Sequence, residues 1–512
     1  MPSFTRRRFV AAAAAAALAQ PLRTLAQAAA PVPGTLTLYP RQPGATIPGN
    51  FIGLSYEIQE LADPSLFTPS NTALVAQFKA LAPHGVLRLG GNTSDVGWWK
   101  AMADAKQPPL PANVVMRTPA GQKSPMALSY AVTPEAVRNL RGFLDATGWT
   151  TLFGVNLGTN TPELAAAEAE FVAKALGPRL EYFQVGNEPD LFPSRFRDGA
   201  TWNADVYFDQ WLAVANAIRA RTPQAKFGLP DTASNPHWST VVSERLAALA
   251  EHERPDVAAI THHYYFIGPP SNPNATLPNL MRPDIRVTAA AEQTRAAAQR
   301  VGTKYRMTEG NTCYRGGKPG FSDVFGAALW AADYALTLAS LGYAGVNLHG
   351  GGGTSVADSL GGSLPGESLM ANPAAPHPRP FYTPIAYMDG KFVAEPVYYG
   401  LKLAQYFSGA TLMAVDLEAG SANATAYAAK SADGKSVIAI VNKDEKQALR
   451  IAARGLRGGT LYRLSAPAIT SHEAHLTGFE GAPGERLSAQ TGDAPLQWDV
   501  PAASAAILVQ AE

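Results

Sequence analysis

Two glutamates carry the clearest chemical signal in this 512-residue chain. Glu188 closes the run Tyr182-Phe183-Gln184-Val185-Gly186-Asn187-Glu188 and is followed by Pro189. Glu309 closes Lys304-Tyr305-Arg306-Met307-Thr308-Glu309 and is followed by Gly310-Asn311. Two facing carboxyl groups can cleave an acetal: one protonates the leaving oxygen while the other attacks the anomeric carbon. A separation of about 5–5.5 Å predicts retention of configuration by double displacement. The acid has to stay protonated near neutral pH, so burial and the nucleophile's charge should raise its pKa. Glu188 is expected to be that acid/base and Glu309 the nucleophile, with Asn187 placed to reach a sugar 2-hydroxyl. Asn187-Glu188-Pro189 alone would also suit a strand-to-helix turn. Glu309, in register at the end of a second strand, decides for chemistry.

Nearby residues fill in the site. Glu57 ends an apolar run, and Arg88 precedes Gly90-Gly91-Asn92. In His262-His263-Tyr264-Tyr265 the paired histidines raise the question of a metal, but successive strand residues face opposite ways. No metal is therefore expected, and without a Gly-rich dinucleotide fingerprint, a cysteine cluster or a haem attachment motif no cofactor is expected either. A histidine or tyrosine here, Tyr264 and Tyr265 included, should position the nucleophile or the sugar. Trp98, Trp99, Phe192 and Phe266 could stack on sugar faces or pack the core. Cys313 is expected to be a small packed side chain.

Eight apolar runs position these residues, near 51–57, 86–90, 151–156, 182–188, 226–231, 259–265, 304–309 and 345–349. Helical stretches separate them, among them 71–82, 133–147, one starting at Pro162, 203–221 and 325–341. Parallel strands covered by crossover helices, repeated eight times, predict an α/β fold, a (β/α)8 barrel, across 49–409. Its catalytic groups lie at the C-terminal strand ends. Beyond 410 short segments alternate with Gly/Asp/Ser/Pro turns, which predicts a C-terminal antiparallel β-sandwich over 410–512. The strand within 31–48, Thr35-Leu36-Thr37-Leu38-Tyr39, is expected to join it. Loops near 105–125 and 350–380 are long enough to act as lids or binding loops.

Residues 1–30 read as a twin-arginine export signal: Arg6-Arg7-Arg8, an Ala-rich run, then Ala26-Gln27-Ala28. A membrane anchor needs about 20 apolar residues, and this run breaks at Gln20-Pro21. The mature protein is expected in the periplasm or secreted, with no membrane association. The formal charge of +1 includes Arg6, Arg7, Arg8 and Arg23; removing those four cations leaves −3. No nucleic-acid partner is expected. One cysteine excludes an internal disulfide.

Four segments, in order and at barrel spacing, resemble glycoside hydrolase family 79, the heparanase-like β-glucuronidases. They are Leu87-Arg88-Leu89-Gly90-Gly91-Asn92-Thr93-Ser94-Asp95, Gln184-Val185-Gly186-Asn187-Glu188-Pro189, Thr261-His262-His263-Tyr264-Tyr265 and Thr308-Glu309-Gly310-Asn311-Thr312-Cys313-Tyr314. The resemblance implies retaining hydrolysis of terminal β-linked glucuronic acid in a glycan, with Glu57 on sugar hydroxyls. It also implies that Tyr314 and the backbone amides of Gly351 and Gly352 hold the substrate carboxylate. The loop 97–130 resembles that of exo-acting bacterial members and favours exo attack over an endo-acting heparanase. An arabinofuranosidase would share both glutamates and differ in the pocket that reads C5. A non-catalytic carbohydrate-binding protein would have no use for both.

Overall fold

The computed structural model describes residues 30–233, 235–361, 364, 379–479, 481–488 and 494–510. Residues 1–29 of the expected export segment lie outside them, as does most of the loop expected from 350 to 380. Among the described residues no helix is long and apolar enough to cross a membrane.

Eight parallel strands close into a barrel: Ile52–Glu57, Val86–Gly90, Thr150–Val155, Leu180–Val185, Lys226–Thr232, Asp256–Ile267, Lys304–Cys313 and Val346–Gly350. The closing seam pairs Val346 with Ile52 and Gly350 with Tyr56. Several of the crossover helices begin at a capping side chain. Thr133 and Thr161 each accept an amide hydrogen bond as N-caps, with proline at the first helical position, starting Pro134–Thr147 and Pro162–Leu176. Asn203 caps Ala204–Arg221 in the same way. Helices His237–Ala248, Ile285–Val301 and Phe325–Ser340 follow strands five, six and seven, and Pro396–Gln405 packs against the last of these.

The expected sandwich is one ten-stranded sheet curled over a second apolar core, which includes Leu36, Ile438, Ile451, Trp498 and Leu508. Its pairings are antiparallel except one. Val32–Thr46 sits between Thr411–Glu418, antiparallel, and Leu449–Ala453, parallel, so the segment before the barrel becomes an interior strand of the last sheet.

The excursion after strand two crosses the barrel mouth. Gly97–Trp99 pairs with Tyr130–Val132 at its base. In between, the amides of Val115 and Arg117 donate to the carbonyls of Phe196 and Arg195, beyond strand four (3.0 and 2.9 Å). The Lys123 amide then donates to the Gly361 carbonyl, beyond strand eight (3.0 Å). The loop is thus pinned on opposite sides of the opening.

Candidate active site

Chain geometry at the end of strand four forces Glu188 inward. Gly186 takes φ +83, left-handed backbone that glycine adopts without steric cost. Glu188 follows at φ +47, and Pro189, lacking an amide hydrogen, begins a short helical turn. Each freed amide finds a partner: Gly186 on the Val155 carbonyl, Asn187 on Asp95 Oδ2, and Glu188 on the Asp231 carbonyl (2.9, 3.0 and 3.0 Å). On strand seven the pairing with strand six slips between Met307 and Glu309. A bulge lets neighbours on one strand share a face. Here it aims both Thr308 and Glu309 into the barrel, where they bond Asp231 and Arg88.

The two carboxylates meet. Glu188, Glu309 and His263 each present an atom within 4.8 Å of the other two. Glu309 Oε1 accepts from the Tyr265 hydroxyl (2.9 Å) and Oε2 from Arg88 Nη1 (2.6 Å). Glu188 Oε1 lies 2.9 Å from His263 Nδ1. Their proton affinities separate in opposite directions. For Glu188, burial and the charge of Glu309 outweigh the help of His263 and raise its pKa. For Glu309, burial pushes upward too, but His349, His263 and Arg88 and the Tyr265 hydrogen bond overcome it and hold the pKa at about 2. The surroundings thus favour the protonated form of Glu188 and the ionised form of Glu309.

Arg88 organises the floor of the site. Its Nη1 reaches Ser55 (3.0 Å) and Glu309, its Nη2 reaches Asn187 Oδ1 (2.7 Å) and Asp231 Oδ2 (2.6 Å), and its Nε reaches Gln184 (3.1 Å). Burial disfavours its charge, yet Asp231 and Glu309 hold its pKa above the ordinary value. His349 contacts Ser55 through Nδ1 (3.0 Å) and approaches Glu57 through Nε2 (3.4 Å). The sequence marks Arg88 only as part of strand two and Asp231 only as the end of strand five. The available signal was a lone charged residue near the C-terminal end of an apolar strand.

The remaining expected site residues divide. Tyr265 is at the centre. Tyr314 stands beside it, ring centroids 6.3 Å apart, 39% exposed, its hydroxyl without a hydrogen bond to the described residues. Asn187 lines the floor on Arg88. Glu57 is buried, and its Oε2 accepts from the amide and hydroxyl of Thr93 (2.9 and 2.6 Å). Gly91, at φ +75, passes so close to that carboxylate that a Cβ there would lie 2.2 Å from Oε2.

Two expectations need correcting. Tyr264 faces outward: its hydroxyl bonds Asp284 and its ring stacks on Tyr334, because strand alternation that turns Tyr265 inward turns Tyr264 to the helices. The Gly351 amide already donates to the Thr383 hydroxyl oxygen (3.1 Å) and the Gly352 amide to Glu60 Oε1 (2.6 Å), so both are occupied by the protein's own groups. The aromatic side chains mostly pack: Trp99 on Phe171, Phe192 on Trp202, and Phe266 under Arg286. Cys313 is buried, and burial pushes its thiol up to about 12.

The trio Glu188, His263 and Glu309 has the spacing of a metal site. Both ring nitrogens of His263 face carboxylates, Glu188 at 2.9 Å and Asp231 at 3.1 Å. Burial disfavours the imidazolium, but Asp231 and Glu309 raise its pKa to about 10. His262 faces the other way, onto the Tyr343 hydroxyl (2.8 Å), and burial lowers its pKa to about 4.

The chain is 28% identical over 312 residues to a β-glucuronidase of Aspergillus niger, covering 57% of this chain and 55% of that protein. It is 27% identical over 289 residues to a β-glucuronidase of Neurospora crassa, covering 52% and 50%. By sequence, the chain is similar to β-glucuronidases. It spans about half the length of these curated relatives. No family model matches it. Among solved structures, the 4-O-α-L-rhamnosyl-β-D-glucuronidase of Fusarium oxysporum superimposes with a TM-score of 0.67 at 17% identity, over 93% of this chain and 100% of that one. A GH51 arabinofuranosidase of Xanthomonas axonopodis pv. citri gives 0.62 at 18% identity, over 94% and 100%. These likenesses establish a shared fold, a (β/α)8 barrel with an added β-sheet domain.

Proposed function

We propose that this protein is a retaining exo-β-glucuronidase that releases terminal β-linked glucuronic acid by double displacement. The observation that carries the reading is the close approach of Glu188 and Glu309 with their proton affinities driven apart. In the first step Glu188 gives its proton to the glycosidic oxygen as the C1–O bond breaks. Glu309, held by Arg88 and Tyr265, forms a bond to C1. In the second, the Glu188 carboxylate takes a proton from water, and that water displaces Glu309 from C1. The glucuronide substrate is supported by the named relatives, and Tyr314, beside the nucleophile's tyrosine, supplies a free hydroxyl for the sugar's carboxylate. Exo action is supported by the loop after strand two, which is tied by backbone hydrogen bonds to segments beyond strands four and eight. Residues 1–30 are proposed to direct export to the periplasm or beyond.

A panel of 4-nitrophenyl glycosides, together with sized heparan oligomers, tests this reading. Cleavage of the β-glucuronide but not the β-glucoside or α-arabinofuranoside is expected, with free glucuronic acid as the first product from oligomers. Rapid shortening of oligomers without early glucuronic acid would contradict exo action.

A further inference from the structure

Asp231 needs no contact with substrate, yet it is buried, and its protein contacts are unusually complete. Oδ1 accepts from Gln184 Nε2 and Thr308 Oγ1. Oδ2 accepts from Arg88 Nη2 (2.6 Å) and lies 3.1 Å from His263 Nε2. Its backbone carbonyl holds the Glu188 amide (3.0 Å). Its φ of +58 is left-handed backbone uncommon outside glycine, and such conformations persist where the surroundings over-determine them.

We propose that Asp231 is a positioning residue for the general acid: through His263 Nε2 it keeps that ring doubly protonated and aims Nδ1–H at Glu188 Oε1. Glu188 Oε2 is then the oxygen that gives and retakes the catalytic proton. The inference rests on the reading of Glu188 as acid/base.

Proton counting supports it. Arg88 Nη2 also lies 3.2 Å from His263 Nε2, so either group could in principle donate there. The two hydrogens on Nη2 are already directed at Asn187 Oδ1 (2.7 Å) and Asp231 Oδ2 (2.6 Å). The proton between the ring and Asp231 therefore belongs to the histidine. Around this ring stand two ionised carboxylates, Asp231 and Glu309, and the protonated Glu188, against one cation, Arg88, with His262 alongside as a ring whose pKa burial lowers. Asp190 adds a further acidic neighbour to Glu188. That balance favours an imidazolium.

The Nδ1 proton stays on the ring throughout the cycle. In glycosylation the Oε2 proton passes to the leaving oxygen, which also takes the C1–O electron pair, while a Glu309 oxygen bonds C1. In deglycosylation water returns a proton to Oε2 as its oxygen bonds C1 and the C1–Glu309 bond breaks. The imidazolium stabilises the Glu188 carboxylate that exists between the two steps.

The test uses the full-length protein, 4-nitrophenyl β-D-glucuronide and an alkyl β-D-glucuronide. Wild-type turnover of neither would overturn the glycosidase reading itself and, with it, the basis of this inference. With turnover present, pH profiles of kcat/KM are compared for wild type, His263→Gln and Asp231→Asn. Loss of the imidazolium removes a positive charge beside Glu188, so the alkaline limb should move to higher pH by about 1 unit or more. The alkyl substrate, which needs the acid most, should lose about tenfold or more beyond the loss on the aryl one. Folded variants whose alkaline limb overlays wild type, with equal losses on both substrates, would refute the proposal and leave the glycosidase reading intact. Should Asp231→Asn fail to fold, 15N-histidine NMR of the wild type decides. A buried ring protonated on both nitrogens at neutral pH, and absent from His263→Gln, is expected. A neutral His263 would refute the proposal.

Discussion

Glu309→Ala is expected to lower kcat on 4-nitrophenyl β-glucuronide by about 10⁴-fold or more, comparable with removing the nucleophile of other covalent hydrolases. The loss should be similar for activated and unactivated aglycones, because either way no group remains to attack C1. Nothing nearby can substitute. Tyr265 is held neutral, its hydroxyl pKa pushed well up by burial and by the charge of Glu309, and Arg88 is a donor rather than a nucleophile. Glu309→Gln should be as inactive, which separates lost nucleophilicity from lost volume. Azide supplied to Glu309→Ala should enter the vacated space and yield the α-glucuronyl azide, the inverted product. Activity within tenfold of wild type would mean that the reacting carboxylate is elsewhere.

Glu188→Ala should give the second-largest effect, and its signature is selective. Alkyl glucuronides depart as poor leaving groups and need a proton, so kcat/KM should fall by about 10²–10⁴-fold. Aryl glucuronides with good leaving groups should still glycosylate Glu309 and then stall, because water lacks its base. Azide should relieve that stall and give the β-glucuronyl azide, the opposite anomer from Glu309→Ala. The pH profile follows from the same assignment. Glu188 acts protonated, so activity declines as pH rises through its raised pKa. Glu309 acts ionised, so activity declines only as pH falls toward about 2. The alkaline limb should vanish in Glu188→Ala on activated substrates. A uniform loss across all leaving groups, with the limb intact, would count against the assignment.

The barrel was readable because its evidence is local. Each strand contains an apolar run, several helix starts carry a capping side chain, and Glu188 stands just past the end of strand four, while strand seven runs on from Glu309 to Cys313. The network beneath them was not readable. Arg88 finds Asp231 and Glu309 143 and 221 residues away, and only closure of the barrel makes them neighbours. Its charge among Val86, Leu87 and Leu89 announced a buried partner without naming one. Alternation, sufficient to separate His262 from His263, also separates Tyr264 from Tyr265, and carrying both tyrosines into the site ignored it. Gly351 and Gly352 were expected to offer amides to the substrate carboxylate because the family resemblance implied it. Glu60, in the turn after strand one, consumes the Gly352 amide, which nothing in the local pattern foretells. The parallel seating of Val32–Thr46 beside Leu449–Ala453 is likewise a long-range event.

The most direct test is the configuration of the sugar first released, followed by proton NMR in the opening minutes of hydrolysis, before mutarotation. Carboxylate oxygens within 4.8 Å of each other match the short separation of retaining glycosidases, not the wider one that admits an attacking water. β-Glucuronic acid should therefore appear first, with the α anomer growing in later. Initial release of α-glucuronic acid would contradict double displacement through Glu309.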